Sequence, residues 1–236
     1  MFLKVATITL IPFLIIQGNK VRKTTLKLPE PDGLREGYAG QGEKLAILIL
    51  GDSAAAGVGV KNQKDALLGQ LIKALEDDYR VYWKLHAKTG NTSADIIKVT
   101  ADLPNQHFDV VLTSVGVNDI TQLTSVNIWV NKQKQLYQII EEKFKPSFIL
   151  ATGVPPMHLF PALPNPLAWL FGEYAKKMNV QLRNLVNQTE KMDWIEYDLE
   201  KYKGMNIEMA DDGFHPSQEI YRLWAQEVAD KIRQKF

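Results

Sequence analysis

From residue 45 onward, short apolar runs alternate with longer stretches whose apolar residues recur every third or fourth position. Runs this rich in Ile, Val and Leu have to be buried on both sides, and a sheet covered by helices on each face achieves that. "LAILILG" (45–51), "YRVYWKLHA" (79–87), "FDVVLTSVG" (108–116), "PSFILATGV" (146–154) and "MDWIEYD" (192–198) read as five strands. In 65–78, Leu68, Leu71, Ile72 and Leu75 fall at i, i+3, i+4 and i+7, one stripe of a helix. Similar stripes run through 93–103 and 127–144. A last helix over 217–232 turns Ile220, Leu223, Trp224 and Val228 inward. Such alternation predicts an α/β fold: a three-layer α/β/α sandwich on a five-stranded parallel sheet with right-handed crossovers.

A chain of 236 residues fits one such domain, here placed over 45–236. Lys and Arg total 28 against 27 for Asp and Glu, so no basic surplus points to nucleic acid. The chain has no cysteine, which removes disulfides, thiolate catalysis and Cys-ligated zinc but leaves the compartment open. There is no H-E-x-x-H and no second histidine near His215, so the residues give metal ligation poor support.

Residues 1–44 differ from the rest. "VATITLIPFLIIQG" (5–18) is apolar or hydroxylic, only Lys4 precedes it, and Lys20, Arg22, Lys23 and Lys27 follow. The run is shorter than the roughly 20 residues of a membrane-spanning helix, and no small-x-small cleavage site follows it. Three readings stand: an interfacial anchor, a degenerate signal peptide, or a strand or helix packed on the body. An anchor followed by cations favours a cytoplasmic, membrane-associated body; a signal would make the protein periplasmic or secreted. "LPEPDGLREGYAGQGEK" (28–44), rich in Pro and Gly, reads as a linker or wrapping loop.

"GVPPMHLFPALPNPLAWLFG" (153–172) carries five prolines and several large apolar residues. Prolines at this density exclude helix and strand, so the segment is expected to be a loop over the carboxyl edge of the sheet. Either it only covers the core, or Met157, Phe160, Leu163 and Trp169 line a substrate pocket, whose bulk would suit a small or medium acyl group.

Open parallel sheets bind ligands beyond the carboxyl ends of their strands. Asp52 and Ser53 follow the first strand, Gly90 and Asn91 the second, and Gly116, Asn118 and Asp119 the third. Asp212 and His215 precede the last helix. Each motif alone is ordinary turn chemistry or a structural histidine. Gathered on one rim, they suit acyl transfer. Serine needs a neighbouring base, histidine with its pKa near ~6.5 supplies one, and a carboxylate on the far ring nitrogen fixes the tautomer. The backbone N–H of Ser53, the N–H of Gly90 and the Asn118 amide could stabilise an oxyanion. His86, His107 and His158 lack this context. The rivals fit poorly: there is no G-x-G-x-x-G, no P-loop pattern and no G-x-S-x-G elbow.

Gly51-Asp52-Ser53, Gly90, Gly116-Val117-Asn118-Asp119 and Asp212-Gly213-Phe214-His215, in that order, resemble the blocks of the SGNH/GDSL hydrolase superfamily. The resemblance implies a flavodoxin-like fold and ester hydrolysis without metal or cofactor. It implies Ser53 as nucleophile, His215 as base and Asp212 as acid, with Ser53, Gly90 and Asn118 as the oxyanion hole. "GDSAAAG" departs from the longer family form, with leucine after the serine, so the substrate stays open: a simple carboxylic ester, an O-acetylated carbohydrate, a lysophospholipid or a thioester. A catalytically silent binding module on the same fold is the rival of another class.

Overall fold

The computed structural model of the chain describes residues 2–197 and 204–236. Its middle layer is a six-stranded sheet of β1 (Glu36–Ala39), β2 (Glu43–Gly51), β3 (Tyr79–Ala87), β4 (Val110–Ser114), β5 (Phe148–Thr152) and β6 (Met192–Ile195). The spatial order is β1-β3-β2-β4-β5-β6. Strands β2 to β6 are parallel and occupy the five expected places. Residue 198, the last of the expected fifth strand, lies outside the described residues. Ile47, Leu48, Ile49 and Leu50 of β2 are wholly buried, and every residue of β4 and β5 is buried. Successive side chains point to opposite faces, so both faces of the sheet centre are dry.

The helices are α1 (Phe2–Thr24), α2 (Ser53–Ala56), α3 (Leu67–Leu75), α4 (Ser93–Asp102), α5 (Val117–Thr121), α6 (Val126–Phe144), α7 (Leu167–Val186) and α8 (Gln218–Lys235). α3 packs on α8, while α4, α6 and α7 pack in succession. The crossover from β2 through α3 to β3 runs one way along the sheet; that from β3 through α4 to β4 returns past β2. Right-handed crossovers of opposite sense lie on opposite faces, which gives the three layers. The reversal leaves a crevice beyond the carboxyl ends of β2 and β4.

Two features depart from expectation. The segment 28–44 is not only a linker: Glu36–Ala39 pairs antiparallel with β3 as an edge strand, and the Leu85 N–H donates to the Arg35 carbonyl at 2.7 Å. Four residues of mixed polarity give no strand pattern to read. The second departure is α7, which starts inside the proline-rich segment. Its prolines end at Pro166, just before the first helical residue, where a missing N–H costs nothing. Beyond it Leu167, Leu170, Phe171, Tyr174, Met178 and Leu182 bury one helical face. The apolar run 5–18 lies within α1, a helix as in the packed reading. That helix packs on the body through Leu14, and the Gln17 amide donates to the Asn165 carbonyl (2.7 Å) and accepts from the Leu167 N–H (3.2 Å). Among the described residues no helix is long and apolar enough to cross a membrane.

Candidate active site

At the end of β2 the chain leaves the sheet abruptly. A side chain on Gly51 would press on the Ser114 carbonyl oxygen, so only glycine permits this close approach. The Asp52 N–H donates to that same carbonyl at 3.1 Å. Asp52 then caps α2, its Oδ1 accepting the Ala54 N–H at 3.1 Å, which makes Ser53 the first residue of the helix. Gln63 Nε2 holds the other end by donating to the Ala56 carbonyl at 2.8 Å.

Ser53 Oγ lies 2.9 Å from His215 Nε2, although 162 positions separate them. His215 Nδ1 lies 2.5 Å from Asp212 Oδ2. The Phe214 and His215 N–H groups both donate to Asp212 Oδ1 at 2.9 Å. Bonds from the Ala210 N–H to the His215 carbonyl (2.9 Å) and from the Gly213 N–H to the Ala210 carbonyl (2.8 Å) close the loop. Burial works to raise the Asp212 carboxyl, but the bonds from His215 and Phe214 and the imidazole's charge outweigh it, holding the group below its ordinary value. An ionised Asp212 keeps the ring proton on Nδ1 and leaves Nε2 free to accept from Ser53. A hydroxyl so placed can yield its proton as it attacks an acyl carbon. Asp52 is the opposite case. Buried and close to Asp119, its carboxyl is pushed up to about 7 despite the Ala54 N–H and His215.

Gly90 and Asn118 lie on the neighbouring rim. Gly90 has φ of +87°, a backbone conformation that glycine adopts freely, and a side chain there would meet open space. Asn118 Nδ2 donates to the Asn91 carbonyl at 2.9 Å, and Asn91 Nδ2 reaches the Gly51 carbonyl at 3.4 Å. One proton of the Asn118 amide is therefore engaged and the second is left for a ligand. Behind it Asp119, fully buried, accepts from the Ser93 N–H (2.8 Å) and hydroxyl (2.9 Å), and Lys132 Nζ lies 3.6 Å away. Asn91 and Ser93 thus tie the second block to the first and third, a role that turn chemistry at 88–91 did not suggest. The T-x-x-D capping box of Thr92 and Asp95 was the available signal for a helix start beside the site.

The four expected pocket residues scatter. Phe160 joins Ser53, Gly116, Val154, Phe214 and His215 around a small pocket of about 30 Å³, room for about one water. Leu163 lines a groove of about 550 Å³ that also includes Gly90, Asn118, Leu167, Phe171 and residues of α1. Met157 corrects the expectation: the tight turn Met157–Leu159 buries it completely in the core. Trp169 also corrects it, because α7 directs it toward a separate cleft with His158 and Glu173. Phe214 borders both the small pocket and the groove. His86, His107 and His158 stay outside the cluster, and the described residues contain no group of side chains able to hold a metal ion.

No relative among curated proteins matches the sequence. Solved structures do match in fold. A lipolytic G-D-S-L family protein from Veillonella parvula superposes with a TM-score of 0.67 at 14% identity, over 80% of this chain and 99% of that one. Est24, a carbohydrate acetylesterase from Sinorhizobium meliloti, gives 0.59 at 19%, over 81% and 100%. The aryl esterase of M. smegmatis gives 0.62 at 15%, over 81% and 100%. The pattern of the GDSL-like lipase/acylhydrolase family matches residues 49–223, which span every block gathered at this rim, and the chain belongs to that family of hydrolases acting on ester bonds.

Proposed function

We propose that the protein is a serine esterase working through an acyl-enzyme on Ser53. Ser53 Oγ attacks the ester carbonyl as His215 Nε2 takes its proton, and Asp212 holds the ring and offsets the charge it gains. The tetrahedral oxyanion is met by the N–H groups of Ser53 and Gly90 and the second amide proton of Asn118. Collapse expels the alcohol, protonated by His215. A water then repeats the attack on the acyl-enzyme, with His215 again taking the proton and returning it to Ser53. The small pocket beside Ser53 and His215 is the right size for that water. The acyl chain lies in the groove along Leu163, Leu167 and Phe171, whose volume falls in the range of ligand sites.

The observation that carries the proposal is the unbroken hydrogen-bonded line from Ser53 through His215 to Asp212. Labelling with a fluorophosphonate followed by peptide mapping tests it. The label is expected on the peptide containing Ser53. Ser53→Ala should abolish both labelling and p-nitrophenyl acetate turnover. A Ser53→Ala protein with wild-type turnover would overturn the assignment, and absence of labelling in the wild type would favour a silent binding module.

A further inference from the structure

Helix α1 has two dissimilar sides. Leu14 and the Gln17 amide fasten the inner side to the start of α7. On the outer side Ile8, Phe13 and Ile16 are 61–68% exposed, an uncovered apolar stretch. Lys20, Arg22, Lys23 and Lys27 follow, all exposed, and no acidic residue occurs before Glu30. An apolar helix face that passes directly into an unopposed cationic segment fits the boundary between acyl chains and anionic headgroups. A second copy of the chain would set those cations near one another, and among the described residues nothing on this face offers them a counter-charge.

The face also adjoins the active site. Ile11, Ile15 and Arg22 form one wall of the groove whose other wall carries Gly90 and Asn118. A bilayer meeting Ile8 and Ile16 would therefore lie level with the groove's mouth. We infer that α1 docks the protein on an anionic phospholipid surface and that the ester hydrolysed is a long-chain lipid drawn from that surface into the groove. The choice of substrate rests on the esterase proposal; the docking does not.

The test uses the full chain, vesicles of phosphatidylcholine with or without phosphatidylglycerol, and two esters. These are p-nitrophenyl acetate in solution and palmitoyl-lysophosphatidylglycerol held in the vesicles. Wild-type protein is expected to sediment with the anionic vesicles. An Ile8→Glu/Ile16→Glu variant should stay in the supernatant, keep its rate on the soluble ester and lose at least about tenfold on the lysolipid, since neither side chain borders the groove. Lys20→Gln/Lys23→Gln should weaken partition about fivefold for each cation removed. Turnover of the soluble ester by a protein that ignores the vesicles overturns the docking. So does a gel-filtration dimer that Ile8→Glu/Ile16→Glu converts to monomer without any vesicle binding, because a second copy then covers the face. Sedimentation with hydrolysis of neither ester supports the docking and refutes the esterase.

Discussion

Asp52 should make the folded protein less stable as pH rises, and Asp52→Asn should remove that dependence. The carboxyl is 3% exposed and is pushed from its ordinary 3.8 up to about 7, chiefly by burial, with Asp119 adding repulsion. Below the lower value it is protonated in the folded and unfolded chains alike. Between the two values the unfolded chain has lost the proton and the folded chain keeps it, so each rise in pH favours unfolding. Above the upper value both are ionised and the whole penalty remains. Moving a carboxyl from 3.8 to about 7 integrates to about 4 kcal/mol. Asparagine has the same shape, can accept the Ala54 N–H through its own Oδ1, and does not ionise. The stability of the variant minus that of the wild type should therefore climb by up to about 4 kcal/mol between about pH 4 and pH 8, mostly below pH 7. Urea unfolding followed by tryptophan fluorescence at constant ionic strength measures both proteins. Asp212 works the other way, since its carboxyl is held low and its stabilisation is lost as pH falls through that low value; present in both proteins, it drops out of the difference. A difference that stays flat across this range would refute the idea that the buried Asp52 is held protonated.

The oxyanion donor and its support make separate predictions. Asn118→Ala removes the only side-chain donor proposed there, so kcat for p-nitrophenyl acetate should fall roughly 10²–10³ with KM little changed; a loss under about tenfold would put the oxyanion elsewhere. Asp119→Ala strands the Ser93 N–H and hydroxyl and leaves Lys132 facing an emptied site, which should cost about 3–5 kcal/mol in urea unfolding. A loss below about 1 kcal/mol would show that the buried network carries little stability.

What could be read from the sequence divides along physical lines. β2, β4 and β5 were plain because burial on both faces forces an uninterrupted apolar run, and α3 and α8 because burial on one face forces a stripe. Ser53, His215 and Asp212 stand out in the sequence because each motif is local and a parallel topology brings strand ends to one rim; Ser53 Oγ and His215 Nε2 lie 2.9 Å apart. β1 left no trace because an edge strand of four residues, Glu36–Ala39, buries too little to require a pattern. α7 was obscured because prolines up to Pro166 outweighed the apolar stripe beginning at Leu167.

Direction is the harder quantity where the chain is irregular. A helix or strand period assigns each side chain to a face, but between Val154 and Pro166 no period exists. One tight turn there buried Met157 while Phe160 reached the site, and composition ranked the two alike. α1 raises the same difficulty in a regular element. Apolar residues occupy both of its sides, so no stripe could say which side meets α7 and which meets solvent. Gln17 settles the matter, because it is the polar residue whose amide can close both the Asn165 carbonyl and the Leu167 N–H at the head of α7. Once that side faces inward, Ile8 and Ile16 have to face outward, and the exposure on which the lipid-docking proposal depends follows from a single hydrogen-bonded side chain.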